Sequence, residues 1–335
     1  MARRRARGLV VEMEENKRRI TKKQLVSWAG TLLMVASLVF LGRRLFGYHS
    51  EFDAATLLTA GVITGLIAVA LFEGFGIMLA ALNFRALVNN VSGVLVARPL
   101  AVVVYTLSNI YKYIPGGVLY VVGRNRLAVE TEELTHPQVA LSTVLEGAII
   151  AFAAITLIVV TVFDHAMEYL RQELPPIVVI IIIAVIVIGA SVIYSLRRII
   201  GEKLKLLFEN MRVLSIPVLL KRFGFGLLLM ALWGGTFLAT LLILGQPLSP
   251  GLAPRVIGLF ILSWLAGFLT PGAPSGLGIR EVVMLMFMGN MLNEDILLSA
   301  MIIHRIVTAS GDVAAYGLAM GYAQLAKRKT KKLCS

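Results

Sequence analysis

The residues able to do chemistry in this chain are charged side chains set in apolar surroundings. They are Glu73, Lys112, Arg124, Arg126, Glu146, Arg280, Glu281, Arg305 and Asp312. A charge at the centre of a membrane helix costs about 2.5–3.5 kcal/mol even on a lenient insertion scale, so such residues face protein or a polar cavity and mark ligand or proton pathways. Arg305 and Asp312 are seven apart, two helical turns, and project from one helix face, with His304 on a neighbouring face. Glu281, Glu146 and Glu73 are the candidate partners of Arg305. A buried ion pair that only pins helices together is the alternative for Arg305 and Glu146.

Arg124 and Arg280 have a further property. Each follows a Pro-Gly break within about ten residues, KYIPGG at 112–117 and TPGAPSG at 270–276. Proline removes a backbone donor and glycine frees the backbone, so helices stop there. Helices restarting at Gly116 and Gly276 would add unpaired N–H groups and a positive dipole end to each arginine. Two such ends meeting at the midplane would form a pocket for an anion such as a phosphate. Snorkelling of each arginine to the nearest interface is the competing expectation.

The elements that must position these residues follow from composition. Of 335 residues, 58% are hydrophobic and 15% charged, too little polar surface for a soluble chain of this size. The fold class expected is an all-α polytopic membrane protein. The net charge of +13 sits in tails and loops flanking apolar runs, a pattern of membrane orientation and not of nucleic-acid binding. The single cysteine, Cys334, excludes a disulfide framework and a thiolate metal site. No Walker loop, HExxH or Gly-x-Ser-x-Gly elbow occurs, so no enzyme activity, metal or cofactor is expected.

Apolar runs at 25–42, 54–83, 137–163, 174–196, 217–245 and 295–325 are expected spans, about 20 residues being needed to cross. Regions 99–127 and 254–291 are apolar but broken centrally, and are expected to be re-entrant hairpins, full short crossings being the alternative. Lys and Arg number nine before residue 25, seven in 196–222 and five after 326, which places all three stretches in the cytoplasm of a cell membrane protein. The chain then divides into a basic tail 1–24, a first half 25–163, a second half 174–325 and a tail 326–335. The halves repeat one order of elements with opposite orientation, as in many transporters. Residues 199–213 are expected to lie on the cytoplasmic leaflet. The pairs Gly61 with Gly65 and Gly317 with Gly321 suggest close helix packing.

The runs NIYKYIPGGVLYVVGRNRLA (109–128), LSTVLEGA with Glu146, FLTPGAPSGLGIREVV (268–283) and HRIVTASGD (304–312) together resemble the flippase-like family that includes the transmembrane region of lysylphosphatidylglycerol synthases. The resemblance covers roughly 54–325. It departs at Pro274-Ser275-Gly276, where the family usually has Pro-Gly-Gly, and at Glu146-Gly147, where an acidic-Arg pair is usual. About ten residues follow the last expected helix, so synthase chemistry is not carried over.

The resemblance implies handling of a lipid with an anionic or phosphate-linked head group. It points to Asn109, Pro115, Gly116, Gly117 and Arg124 in the first motif, and to Gly276, Gly278, Arg280 and Glu281 in the second, with Ser275 beside Pro274 offering a hydroxyl. Glu281 with Arg305 is expected to form a gating or proton-linked pair. A non-transporting protein that presents a lipid-linked intermediate to a membrane glycosyl or aminoacyl transferase is the alternative function.

Overall fold

Proline and glycine set most helix boundaries. A computed structural model describes residues 59–113, 119–131, 134–171, 215–270, 274–289 and 291–333. The described residues form helices and connecting turns, with no strand among them. The eight α-helices are α1 (Ala60–Ser92), α2 (Arg98–Ile110), α3 (Leu119–Thr131), α4 (His136–Arg171), α5 (Ile216–Ile243), α6 (Ala253–Leu269), α7 (Ile279–Met288) and α8 (Glu294–Leu333). Proline occupies the first turn of α2, α5 and α6, where its missing N–H costs nothing. The expected spans 25–42 and 174–196, the tail 1–24 and the segment 199–213 lie outside the described residues.

Among the described residues four helices are long and apolar enough to cross a membrane: Ala60–Ser92, His136–Val162, Ile216–Ile243 and Glu294–Ala326. Their large exposed side chains are apolar, as at Ile67, Leu71 and Phe75 of α1 and Ile306 and Val313 of α8. Such a surface suits lipid tails and not water. The two broken regions each fold as a pair of short helices. Helix α2 joins α3 past a 3₁₀ turn at Tyr111–Tyr113, and α6 joins α7 past one at Pro274–Gly276. At 1.5 Å per residue these helices measure about 15–26 Å, short of a hydrocarbon core of about 30 Å.

Two boundaries differ from expectation. Helix α1 runs nine residues past the expected end at 83, because its polar end finds partners: Asn83 accepts from Arg222 at 2.8 Å, and Arg85 donates to the Val96 carbonyl at 2.6 Å. It stops at Gly93, whose φ of 73° closes an αL cap by donating to the Asn89 carbonyl at 3.0 Å. Helix α8 continues to Leu333, through most of the stretch expected to be a separate basic tail.

Helices α1 and α8 meet backbone to backbone at glycines the spacing argument did not choose. A Cβ at Gly311 would lie 2.7 Å from the Ala70 carbonyl oxygen and 2.9 Å from Glu73 Cβ, and one at Gly74 would lie 2.9 Å from the Gly311 carbonyl oxygen. By contrast, among the described residues Cβ atoms at Gly61, Gly317 and Gly321 would meet nothing within 4 Å, and Gly65 faces the Ile243 side chain. Close backbone approach at Gly74 and Gly311 is what lets Glu73, His304 and Asp312 share one interior. Gly311→Ala is therefore expected to cost about 1–3 kcal/mol through overpacking, read as a lower thermal midpoint, while Gly317→Ala leaves the midpoint unchanged. Equal midpoints for the two variants would contradict this crossing.

Candidate functional site: two helix breaks held by one helix

Helix α8 holds both breaks through opposite charges two turns apart. At the first break, Asp312 is 1% exposed and accepts from three groups. Asn109 Nδ2 donates to its Oδ1 at 2.7 Å, the Tyr113 hydroxyl donates to its Oδ2 at 2.5 Å, and Lys112 Nζ lies 2.7 Å from the same oxygen. The α2 end and its 3₁₀ turn are thus fastened to α8 by three donors on one carboxylate. The ring of Tyr111 fills the space where a Cβ at Gly123 would sit, which draws α3 against the turn. Pro115, Gly116 and Gly117 lie outside the described residues.

At the second break the polarity is reversed. Arg305 pairs with Glu281 through Nε and Oε1, and its Nη1 and Nη2 donate to the Ser275 and Gly276 carbonyls at 3.4 and 3.2 Å. Glu281, 1% exposed, also accepts from the Gly278 N–H at 2.8 Å through Oε2. The chain path needs three positive φ values in four residues: Ser275 at 51°, Gly276 at 68° and Gly278 at 81°. Ser275 is the only non-glycine among the described residues with positive φ, a conformation that costs an L-residue about 1–2 kcal/mol. Pro274 opens this turn. Gly276 cannot be replaced, since a Cβ there would lie 2.8 Å from Gly267 Cα across the hairpin.

These contacts alter the expected anion pocket in two ways. Helix α7 begins at Ile279 and not at Gly276, and Glu281 from its own first turn already occupies the N-terminal donor at Gly278. The arm expected to start at Gly116 is described only from Leu119 onward. Arg124, moreover, is 2% exposed and fully engaged. Its Nη1 is 2.6 Å from Glu146 Oε2, its Nε donates to Ser108 Oγ at 3.1 Å, and its guanidinium carbon stands 4.0 Å from the Tyr105 ring centroid and 4.7 Å from that of Phe84. The Tyr105 hydroxyl donates to the other oxygen of Glu146 at 3.0 Å. An anion would have to displace Glu146 to reach Arg124. The charge pair that Glu146 lacks along its own helix is supplied by α3.

Arg280 is in the opposite condition. Its Nε is buried without a hydrogen-bond partner, and among the described residues no carboxylate is within ion-pair distance of it. The Arg280 side chain lies against Gly267, whose Cβ, if present, would be 3.1 Å from its Cγ and 3.3 Å from its Nε. The two 3₁₀ turns pack against one another, so Lys112 and Arg280 belong to the same polar interior. The Lys112 side chain remains 30% exposed. Arg126, by contrast, is an exposed partner of Glu130 one helical turn on.

Glu73, behind the turns, receives neither arginine. Its Oε1 lies 2.5 Å from Thr236 Oγ1 and 3.9 Å from His304 Nε2. His304 Nδ1 is 3.0 Å from Thr240 Oγ1, and its ring stands edge-on to Phe237 and Phe260. Of the three carboxylates considered for Arg305, therefore, only Glu281 meets it. Sequence reading missed Tyr105, Ser108, Tyr113, Thr236 and Thr240. Thr236 and Thr240 stand four apart in an apolar run, a spacing that marks a polar stripe on one helix face. Among the described residues no group of three His, Cys, Asp or Glu is placed to hold a metal ion. No family model matches the chain, and no curated protein matches it significantly.

Proposed function

We propose that this chain is a flippase-like membrane protein that binds, and carries across the bilayer, a lipid with an anionic or phosphate-linked head group. The observation that carries the reading is Arg280: a guanidinium beside two helix breaks, its Nε buried without a hydrogen-bond partner and with no carboxylate partner among the described residues. Burying an unpaired charge is costly, and a ligand that supplies the missing charge recovers that cost. Planar guanidinium donors suit phosphate oxygens, and the partly exposed Lys112 offers a second cation.

In this reading α2–α3 and α6–α7 are re-entrant hairpins of two inverted halves, a plan supported by their shortness and by the meeting of their turns. The cytoplasmic placement of both termini rests on the Lys and Arg distribution. Arg124 with Glu146 becomes the clasp that holds α3 to α4, and Arg305 with Glu281 the clasp of the second turn. The resemblance to flippase-like proteins agrees with this division.

Translocation of a fluorescent anionic lipid in reconstituted vesicles tests the proposal. Arg280→Gln is expected to abolish most of the movement, while Arg126→Gln, at an exposed position, leaves it intact. Undiminished movement with Arg280→Gln would overturn the transport role of the site. Tight lipid binding with no movement in the unaltered protein would favour presentation to a partner enzyme instead.

A further inference from the structure

The hydroxyl protons around Glu73 decide what that carboxyl must be. Thr236 Oγ1 lies 2.7 Å from the Trp233 carbonyl oxygen and 2.5 Å from Glu73 Oε1, yet a hydroxyl has a single proton to donate. Threonine in an apolar helix characteristically donates it back to a carbonyl one turn earlier. If Thr236 does so, the short contact to Glu73 needs its proton from the carboxyl. The same count holds one turn along. Thr240 Oγ1 donates to the Thr236 carbonyl at 2.8 Å, so His304 Nδ1 supplies the proton of its contact with Thr240. His304 is then neutral with Nδ1–H, and its Nε2 lone pair is left without a hydrogen-bond partner, facing Glu73.

Charge counting links this proton to the anion site. Among the described residues the polar interior contains three cations, Lys112, Arg280 and Arg305, and three carboxyls, Asp312, Glu281 and Glu73. With Glu73 ionised the set is neutral. With Glu73 protonated it carries one net positive charge, and Arg280 is the cation without a partner. The groups acting on Glu73 from the packed elements are Thr236 of α5, His304 and Asp312 of α8, Lys112 of the first turn and Arg280 of α7. Tyr113 and Arg305 lie one contact further, on Asp312 and Glu281.

We propose that Glu73 is a proton-binding site whose occupancy switches anion binding at Arg280, so that the anionic ligand and one proton bind together. On release the Glu73 O–H bond breaks and the proton passes to His304 Nε2, forming an N–H bond, before leaving for water. Ionised Glu73 then serves as the counter-charge of the interior, and the ligand is no longer needed there. This inference rests on the anion-site reading above.

Isothermal titration of the full chain in zwitterionic nanodiscs with short-chain phosphatidylglycerol, in two buffers of different ionisation enthalpy, tests it. Uptake approaching one proton per lipid bound is expected on the alkaline side of the site's titration and none on its acid side, with affinity falling by up to about tenfold per pH unit as pH rises through that titration. Glu73→Gln should bind lipid with no proton uptake and no pH dependence. Binding that is independent of pH and takes up no proton at any pH in the unaltered protein, or uptake that persists in Glu73→Gln, overturns the proton site and leaves the anion site standing. No binding at any pH, or equal binding of short-chain phosphatidylcholine, overturns both. The proton count on the unaltered protein decides the matter even if the variant does not fold.

Discussion

Glu146→Ala is expected to destabilise the protein by about 3–5 kcal/mol, the cost of leaving a buried guanidinium without its partner. Arg124 has no route to water: Phe84 and Tyr105 cover its faces, and Ser108 takes its Nε. The same loss strands the Tyr105 hydroxyl, which has Glu146 as its acceptor. Replacing both charges at once, as Arg124→Met with Glu146→Leu, should recover most of the stability, because a well-packed apolar pair replaces a clasp whose desolvation offsets much of its attraction. Thermal unfolding followed by size-exclusion fluorescence measures both outcomes. A single variant as stable as the parent, or a double variant worse than either single one, would show that the clasp is not what joins α3 to α4.

The second large effect concerns the two turns separately. Asp312→Asn should loosen the first turn, and Arg305→Gln the second, since each break is fastened to α8 through one of these residues. Hydrogen bonds to charged groups contribute about 1.5–3 kcal/mol each, so losing part of either set is enough to raise local opening many-fold. Amide hydrogen exchange is the measurement. Exchange at 111–113 should accelerate in Asp312→Asn and that at 275–278 in Arg305→Gln, with the smaller effect in each case at the opposite turn. Unchanged exchange at both turns would contradict the account of α8 as their common support.

Much of this arrangement was legible in the chain because the bilayer enforces strict rules. Apolar runs long enough to span gave the long helices near 54–83, 137–163, 217–245 and 295–325, and the Pro-Gly clusters marked both breaks. The two-turn spacing of Arg305 and Asp312 foretold a shared face, and Glu281 was among the partners considered for Arg305. What periodicity cannot supply is pairing between distant elements. Nothing along α4 indicates that Glu146 meets Arg124, because the contact depends on how α2 and α3 fold back over it. Helix crossings were misplaced for the same reason: Gly317 and Gly321 have the spacing, whereas Gly74 and Gly311 have the neighbours. The threonines of α5 were overlooked because hydroxyls bonded to their own helix are inconspicuous in an apolar run.

The corrections narrow the candidate site. Arg124 and Arg280 were the cations expected to hold a head group, and of the four cations near the breaks three have carboxylate partners within the protein: Arg124 with Glu146, Arg305 with Glu281 and Lys112 with Asp312. The remaining one, Arg280, sits where the turns meet. Its neighbours Gly267 and Gly276 have no side chains, so backbone and guanidinium are brought together in close contact.

The most direct test of that claim is native mass spectrometry of the gently extracted protein. The account predicts that the unaltered chain retains an anionic, phosphate-bearing lipid, and that Arg280→Gln loses it while Arg126→Gln does not. Equal lipid retention by Arg280→Gln and the unaltered protein would contradict it.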